Sequence, residues 1–297
     1  MTDGRMADRA AKHVQKHAQK HVQLPGVRIG IDDDGAGPRP SGGIRAAGEP
    51  MLLVHGWLGS RASWTGQLRR LRAHRRVVSM DLRGHGASSA PATGSAGYSA
   101  GAMAADLAGV IGALGLAPAV VMGHSLGASA ATHLALDRPD LVSALVLIDP
   151  DYGGDPAQGR TLEPIAALPD DQRIKDAVAE MFRNRIDAGT RSAALRAAHA
   201  RDLDAVPPAV VAATLRAIID APGSIRFRDT AETVLPRRRQ PVLSFHRTRE
   251  RADWERGLTA HPASRAVAVP GCGHWIHQER PDLVMGETER WLDRIRP

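Results

Sequence analysis

Aromatic residues make up only 3% of the 297-residue chain, so its core cannot rest on large rings. Ala, Leu, Val and Ile must fill it instead, and a hydrophobic content of 43% is enough for that. The single cysteine, Cys272, excludes any disulfide within the chain. No apolar run reaches the roughly 18 to 20 residues that span a bilayer, and the N-terminus lacks an apolar stretch of the signal-peptide kind. These absences predict a cytoplasmic protein with no membrane partner. Contiguous basic patches are also scarce. The net charge is +7, which would suit nucleic acid, but the arginines are interspersed with acids, as in "AEMFRNRIDAGTR". The densest run, Arg237–Arg239, adjoins a predicted strand. No nucleic-acid partner is expected.

Lysine is nearly absent outside the first two dozen residues: Lys12, Lys16 and Lys20 lie there, and Lys175 stands alone. The same segment, "AKHVQKHAQKHVQ", repeats every four residues and puts His13, His17 and His21 in step. On a helix that spacing stacks the three rings along one face, an arrangement able to hold a metal. A polar tail without a structural role is the other outcome. Residues 1–24 are therefore set apart as a basic, His-rich tail.

The texture then changes. "VRIGI", "MLLVHG", "RRVVSM", "PAVVMG" and "VSALVLIDP" read as strands, most of them continuously apolar. "SWTGQLRRLRAH", "SAGAMAADLAGVIGALGL" and "SLGASAATHLALDRP" read as the helices between them. Apolar strands alternating with helices predict an α/β fold with a mostly parallel sheet covered on both faces. Residues 151–238 interrupt this pattern with helical stretches such as "RIKDAVAEMFRNRI" and "PAVVAATLRAIID" and no good strand. Afterwards "PVLSF", "DWERGLTAH", "SRAVAV" and "DLVMGETERWLDRI" resume the alternation. The expected organisation is a core of residues 25–150 and 239–297 with a helical insertion, residues 151–238, over the edge of the sheet where open α/β folds bind ligands.

Chemistry concentrates at strand ends. "VVMGHSLGAS" contains Gly123-His124-Ser125-Leu126-Gly127, a G-x-S-x-G sequence between a strand and a helix. That context makes it a nucleophile elbow, a sharp turn that exposes the Ser125 hydroxyl. The turn brings strand and helix too close for side chains, hence the glycines. The helix N-terminus places free N–H groups and positive potential where negative charge would develop. A serine hydroxyl needs a base to take its proton. The glycine-flanked loop "VPGCGHWIHQERPD" offers His274 just past the last strand, with His277 three residues on. His274 is the expected base. "HGWLGS" after the first buried strand suits an oxyanion hole made from the backbone N–H groups of Trp57 and Leu126. "DLRGHGAS", residues 81–88, is expected to brace the site rather than react. Cys272 is read as a small filler of its loop rather than a nucleophile.

The order "HGW", "DLRGHGAS", "GHSLG", "GCGHW" resembles the α/β-hydrolase family, of the lid-bearing esterase and C–C hydrolase-like kind, from about residue 27 onward. The resemblance implies an eight-stranded, mostly parallel sheet, a helical lid after the sixth strand, a Ser-Asp/Glu-His triad in that chain order and no cofactor. The implied activity is hydrolysis of a small, apolar ester or similar acyl compound. Hydrolysis of a C–C bond in a ring-cleavage product by the same residues is an alternative, as is a non-catalytic small-molecule binder. Serine at position 125 departs from the aspartate of haloalkane dehalogenases and epoxide hydrolases.

The triad acid is the weak point of the resemblance. In the family it usually follows the seventh strand, often as an aspartate after a glycine. Counting from Pro241, that register falls on Glu250, but "HRTRERAD" has no glycine. Asp253 and Asp151 are further candidates, and Asp149 is the alternative acid, since some members of the fold carry it after the sixth strand. Glu250 is the expected one.

Overall fold

The computed structural model describes residues 20–35, 48–155, 157, 160–220 and 224–295. Eight strands form one sheet: β1 Lys20–Leu24, β2 Val27–Asp33, β3 Gly48–Val54, β4 Arg75–Met80, β5 Ala119–His124, β6 Val142–Ile148, β7 Val242–His246 and β8 Arg265–Ala268. Their spatial order is β1-β2-β4-β3-β5-β6-β7-β8. β1 and β2 run antiparallel to their neighbours, and every pairing from β4 to β8 is parallel. The sheet is thus mostly parallel, as the alternation of apolar strands and helices requires.

Strand period and burial explain why the middle strands are apolar throughout. Along β5, Val120 and Met122 point to one face and Val121 to the other, and all three are fully buried. Met51, Leu53, Val120, Met122 and Val146 pack on the face carrying helices α1 (Thr65–Arg72) and, near the C-terminus, Pro281–Ile295. Leu52, Val54, Val121, Leu145 and Leu147 pack on the opposite face with α2 (Ala100–Ala113) and α3 (Leu126–Asp137). Each such side chain stabilises the fold by about 1.5–3 kcal/mol when fully buried.

After β6 the chain leaves the sheet. It forms α4 (Glu163–Ala166), α5 (Gln172–Met181), a π-helical turn (Phe182–Ile186), α6 (Ala193–Ala205), α7 (Pro208–Asp220) and α8 (Arg228–Val234). The chain then returns through β7, α9 (Arg249–Gly257), β8, α10 (Ile276–Glu279) and α11 (Pro281–Ile295). The helical block was legible as a run of helices; α9 begins earlier than its sequence pattern suggested.

The N-terminal segment departs from expectation. β1 lies inside residues 1–24, and it closes a hairpin with β2 through Pro25 and Gly26, the latter at φ 74°. His21 sits on this strand, exposed, opposite Gly30. A helical face shared by His13, His17 and His21 is therefore excluded at His21, while His13 and His17 lie outside the described residues. No helix among the described residues is long and apolar enough to cross a membrane.

Candidate active site

Ser125 occupies the turn between β5 and α3 at φ 51°, ψ −118°. A non-glycine residue at positive φ is strained by about 1–3 kcal/mol and persists only where its surroundings fix it. Here the Ser125 N–H donates to the Ile148 carbonyl at 3.0 Å, and its own carbonyl accepts from Ala128 and Ser129. The flanking glycines follow from contact geometry. A Cβ at Gly123 would lie 2.5 Å from the Gly127 oxygen, and one at Gly127 would lie 2.4 Å from the His55 oxygen. Neither close approach leaves room for a side chain. Leu126 is the first residue of α3, so its N–H has no partner within the helix.

His274 stands on the loop after β8, just past Gly271, at φ 73°, and Gly273. His124, directly before Ser125, ties this loop to the elbow. Its Nε2 lies 3.0 Å from the His274 carbonyl oxygen, and the two rings are 4.6 Å apart. Nδ1 of His274 meets Oδ2 of Asp149 at 2.6 Å, within a charge-assisted hydrogen bond. Asp149 comes one residue after β6 and adopts φ 39°, with its N–H bound to the Phe245 carbonyl at 2.8 Å. Arg247 Nε also reaches Asp149 Oδ2, at 2.7 Å. Burial on its own would push the Asp149 carboxyl up; the hydrogen bond with His274 and the nearby Arg247 charge outweigh it and hold the group below the usual carboxylate value.

The structure does not bring Glu250 to His274. Thr248 caps α9, its hydroxyl oxygen accepting from the Arg251 N–H at 3.2 Å, and Glu250 falls in the first helical turn, exposed. An acid there complements the helix N-terminus. Counting from Pro241 failed because only Arg247 and Thr248 separate β7 from α9, and the side chain that points back from this connection is a cation. Asp253 does not cap the helix but pairs with Arg256 at 2.6 Å on the surface. Asp151 pairs with Arg226 of the helical block at 2.5 Å. Asp149, the alternative, is the carboxylate beside His274. Sequence reasoning overlooked Arg247 and His124, whose contacts depend on the packing of separate loops.

The "HGWLGS" and "DLRGHGAS" loops lock together through neutral histidines. His55 Nε2 accepts from the Leu82 N–H at 2.9 Å, so its Nδ1 carries the proton and donates to the Gly56 carbonyl at 2.7 Å. His85 Nε2 likewise accepts from the Leu58 N–H at 3.2 Å. Burial lowers both imidazoles, His85 to about 3, which keeps them acceptors. The Asp81 carboxylate takes the Arg61 and Ala87 N–H groups. Trp57 Nε1 donates to the Thr214 hydroxyl of α7 at 2.7 Å, tying the predicted oxyanion loop to the helical block. Burial and the Glu279 carboxylate push the Cys272 thiol up to about 11, which leaves it protonated at neutral pH and a poor nucleophile. Among the described residues no group of three or more His, Cys, Asp or Glu side chains is arranged to hold a metal.

A cavity of about 110 Å³ opens beside the elbow, between α3, the start of α2 and the helical block. Leu126, Tyr98, Ile218 and Ile225 give it apolar walls, and Ser129 and the Asp151–Arg226 pair give it a polar side.

Comparison with known proteins agrees with this fold. A family model described as alpha/beta hydrolase fold matches residues 49–281. The chain is 26% identical over 263 residues to the sn-1-specific diacylglycerol lipase ABHD11 of Mus musculus, covering 82% of this chain and 80% of that protein. It is 29% identical over 269 residues to esterase YbfF of Escherichia coli (strain K12), covering 82% and 93%. Among solved structures, the enol-lactonase from Burkholderia xenovorans LB400 superposes with a TM-score of 0.75 at 20% identity, over 92% of this chain and 100% of that one.

Proposed function

The chain belongs to the alpha/beta hydrolase fold family, and from that premise we propose that it is a serine hydrolase that cleaves a small ester through an acyl-enzyme. The observation that carries this reading is the 2.6 Å contact between His274 Nδ1 and Asp149 Oδ2, on a loop held against the Ser125 elbow by His124. The Asp149 carboxylate fixes the tautomer with the proton on Nδ1 and stabilises the imidazolium that forms. Nε2 is then the free base. It takes the Ser125 hydroxyl proton as Oγ attacks the ester carbonyl carbon, and the carbonyl π electrons move onto oxygen. The Leu126 and Trp57 N–H groups hold that oxyanion. Collapse expels the alcohol, which takes the proton from His274. Water, deprotonated by the same nitrogen, attacks the acyl carbon. The bond from that carbon to Ser125 Oγ then breaks, Oγ takes the proton back from His274, and the acid leaves.

The cavity is lined by Leu126, next to Ser125, but not by Ser125 or His274 themselves; in this reading it takes a part of the substrate beside the reacting carbonyl, and its size supports a short group there. An apolar cavity of about 150 Å³ holds benzene, so a space of about 110 Å³ suits something smaller. In this reading residues 151–238 act as a lid whose Ile218 and Ile225 cover the bound group.

The test is labelling with a fluorophosphonate probe and turnover of p-nitrophenyl acetate by wild type and Ser125→Ala. Labelling and turnover present in the wild type and absent in the variant are expected. A folded wild type that neither labels nor turns over short esters would contradict the reading and favour a non-catalytic binder.

A further inference from the structure

The helical block grips the His274 loop at a second place. Asp187 follows the π-helical turn after α5, and its Oδ1 accepts from the indole N–H of Trp275 at 2.6 Å. The same oxygen lies 2.8 Å from Nδ1 of His199 on α6. The His199 ring stacks on Trp275 with centroids 3.8 Å apart and planes 25° from parallel. Trp275 is the residue after His274, so whatever holds its indole also holds the backbone that aims the imidazole.

The protonation of His199 follows from its partners. Its Nε2 lies 2.7 Å from Oε1 of Gln278, and the Gln278 amide nitrogen donates to the Ser63 carbonyl at 3.3 Å. Turning that amide over would set its oxygen against the Ser63 oxygen, acceptor against acceptor. The amide oxygen therefore faces His199. Both ring nitrogens then meet acceptors, a carboxylate and an amide oxygen, and only an imidazolium donates from both. The pair is buried, with His199 and Asp187 side chains 3% and 4% exposed. A buried ion pair persists where hydrogen bonds satisfy both charges, and Trp275 and Gln278 complete this one. The other titratable groups that act on the ring are Asp202 on the same helix, His124 at the end of β5 and His277 on α10. Burial keeps both of those histidines neutral at neutral pH, His277 at about 3.

A neighbouring contact shows how closely the two segments fit. A Cβ on Gly273 would lie 3.0 Å from the Gly189 backbone. Glu279 accepts from the Gly273 N–H at 3.2 Å and from the Thr190 hydroxyl at 3.4 Å.

We propose that Asp187 and His199, with His199 carrying both ring protons, are positioning residues that set the place of His274 by holding Trp275. Only the kinetic consequence rests on the hydrolase reading given above. The direct test is NMR of the histidine rings of the full-length protein at neutral pH, assigned by single-histidine variants. His199 should show two protonated nitrogens. The His274 Nδ1 proton, bound to Asp149, should give a far-downfield resonance that Asp187→Asn and His199→Gln displace or abolish. In turnover of p-nitrophenyl acetate, Asp187→Asn and His199→Gln should lower kcat between about tenfold and a hundredfold, as small misplacements do, with KM unchanged. Should those two variants fail to fold, the wild-type ring protonation decides the matter. A His199 ring with one proton, or an unmoved His274 resonance in folded His199→Gln, overturns the proposal. An inactive wild type that shows both NMR signatures would instead refute the hydrolase reading and leave the positioning contacts standing.

Discussion

At the scale of residues, the glycines and the serine of the elbow were readable because their reason is local. A Cβ at Gly127 would overlap two carbonyl oxygens of the neighbouring strand end, those of His55 and Val54, at 2.4 and 2.6 Å. Gly127→Ala is expected to lower thermal stability and activity together, by about 1–3 kcal/mol in chemical denaturation, the usual cost of overpacking. The acid was not readable for the opposite reason. Asp149 reaches His274 across 125 positions of sequence, and its choice over Glu250 depends on where α9 begins. Thr248, three residues before Arg251, is a capping signal that would have moved the helix start and turned Glu250 outward. The Asp149 carboxyl is held below its ordinary value in the fold. Such a group contributes stability above the unfolded value of about 3.9, and that contribution is lost as pH falls through the lower folded value. The difference in melting temperature between wild type and Asp149→Asn should therefore be widest at neutral pH and close in acid. A difference that grows on acidification would contradict this assignment of charge.

At the scale of elements, the inserted helices are fastened to the sheet by a few buried polar contacts. Arg238, where the chain returns to β7, donates to Glu255 of α9 at 2.7 Å, and the side chains are 1% and 0% exposed. Arg238 also reaches the Leu235 carbonyl and the Tyr152 hydroxyl. Burial alone would lower the Arg238 guanidinium, but the Glu255 charge outweighs it and drives it further above its ordinary value. Removing one partner of such a pair leaves an uncompensated buried charge, so Glu255→Gln should destabilise the protein by about 3–5 kcal/mol in urea unfolding. A loss under about 1 kcal/mol would mean that water reaches the pair. Sequence marked Arg237–Arg239 only as a charge run. Periodicity located α7 to the residue, Pro208–Asp220, because its apolar face is continuous. It could not show that Arg238 turns inward, since that depends on Glu255 waiting in another helix.

At the scale of the whole molecule, the sheet begins earlier than the sequence texture suggested. The Lys and His repeat masked the alternation "HVQLPGVRI", in which Val22, Val27 and Ile29 are buried around a Pro-Gly turn. Leu24 packs on α2, where a Cβ on Gly109 would lie 2.8 Å from its methyl groups. Residues 20–24 are an edge strand, not an appendage. Deleting residues 1–24 should remove about 2–4 kcal/mol, from the lost burial of two aliphatic side chains, while leaving ester turnover at room temperature intact, since the strand lies far along the sheet from β5. An unchanged melting temperature would show that β1 adds nothing to the fold. The order of the motifs along the chain was enough to place Ser125 and His274 at one edge of the sheet, because a parallel sheet gathers its strand ends there.

The central claim is that Asp149, and not Glu250, orients His274. The measurement that tests it most directly is kcat for p-nitrophenyl acetate, with the fluorophosphonate labelling rate, in Asp149→Asn and Glu250→Gln beside wild type. The account predicts a fall of about 10⁴-fold in kcat for Asp149→Asn, as expected when the histidine is left in the wrong tautomer, and wild-type rates for Glu250→Gln. The reverse pattern, with Glu250→Gln disabled and Asp149→Asn active, would contradict it.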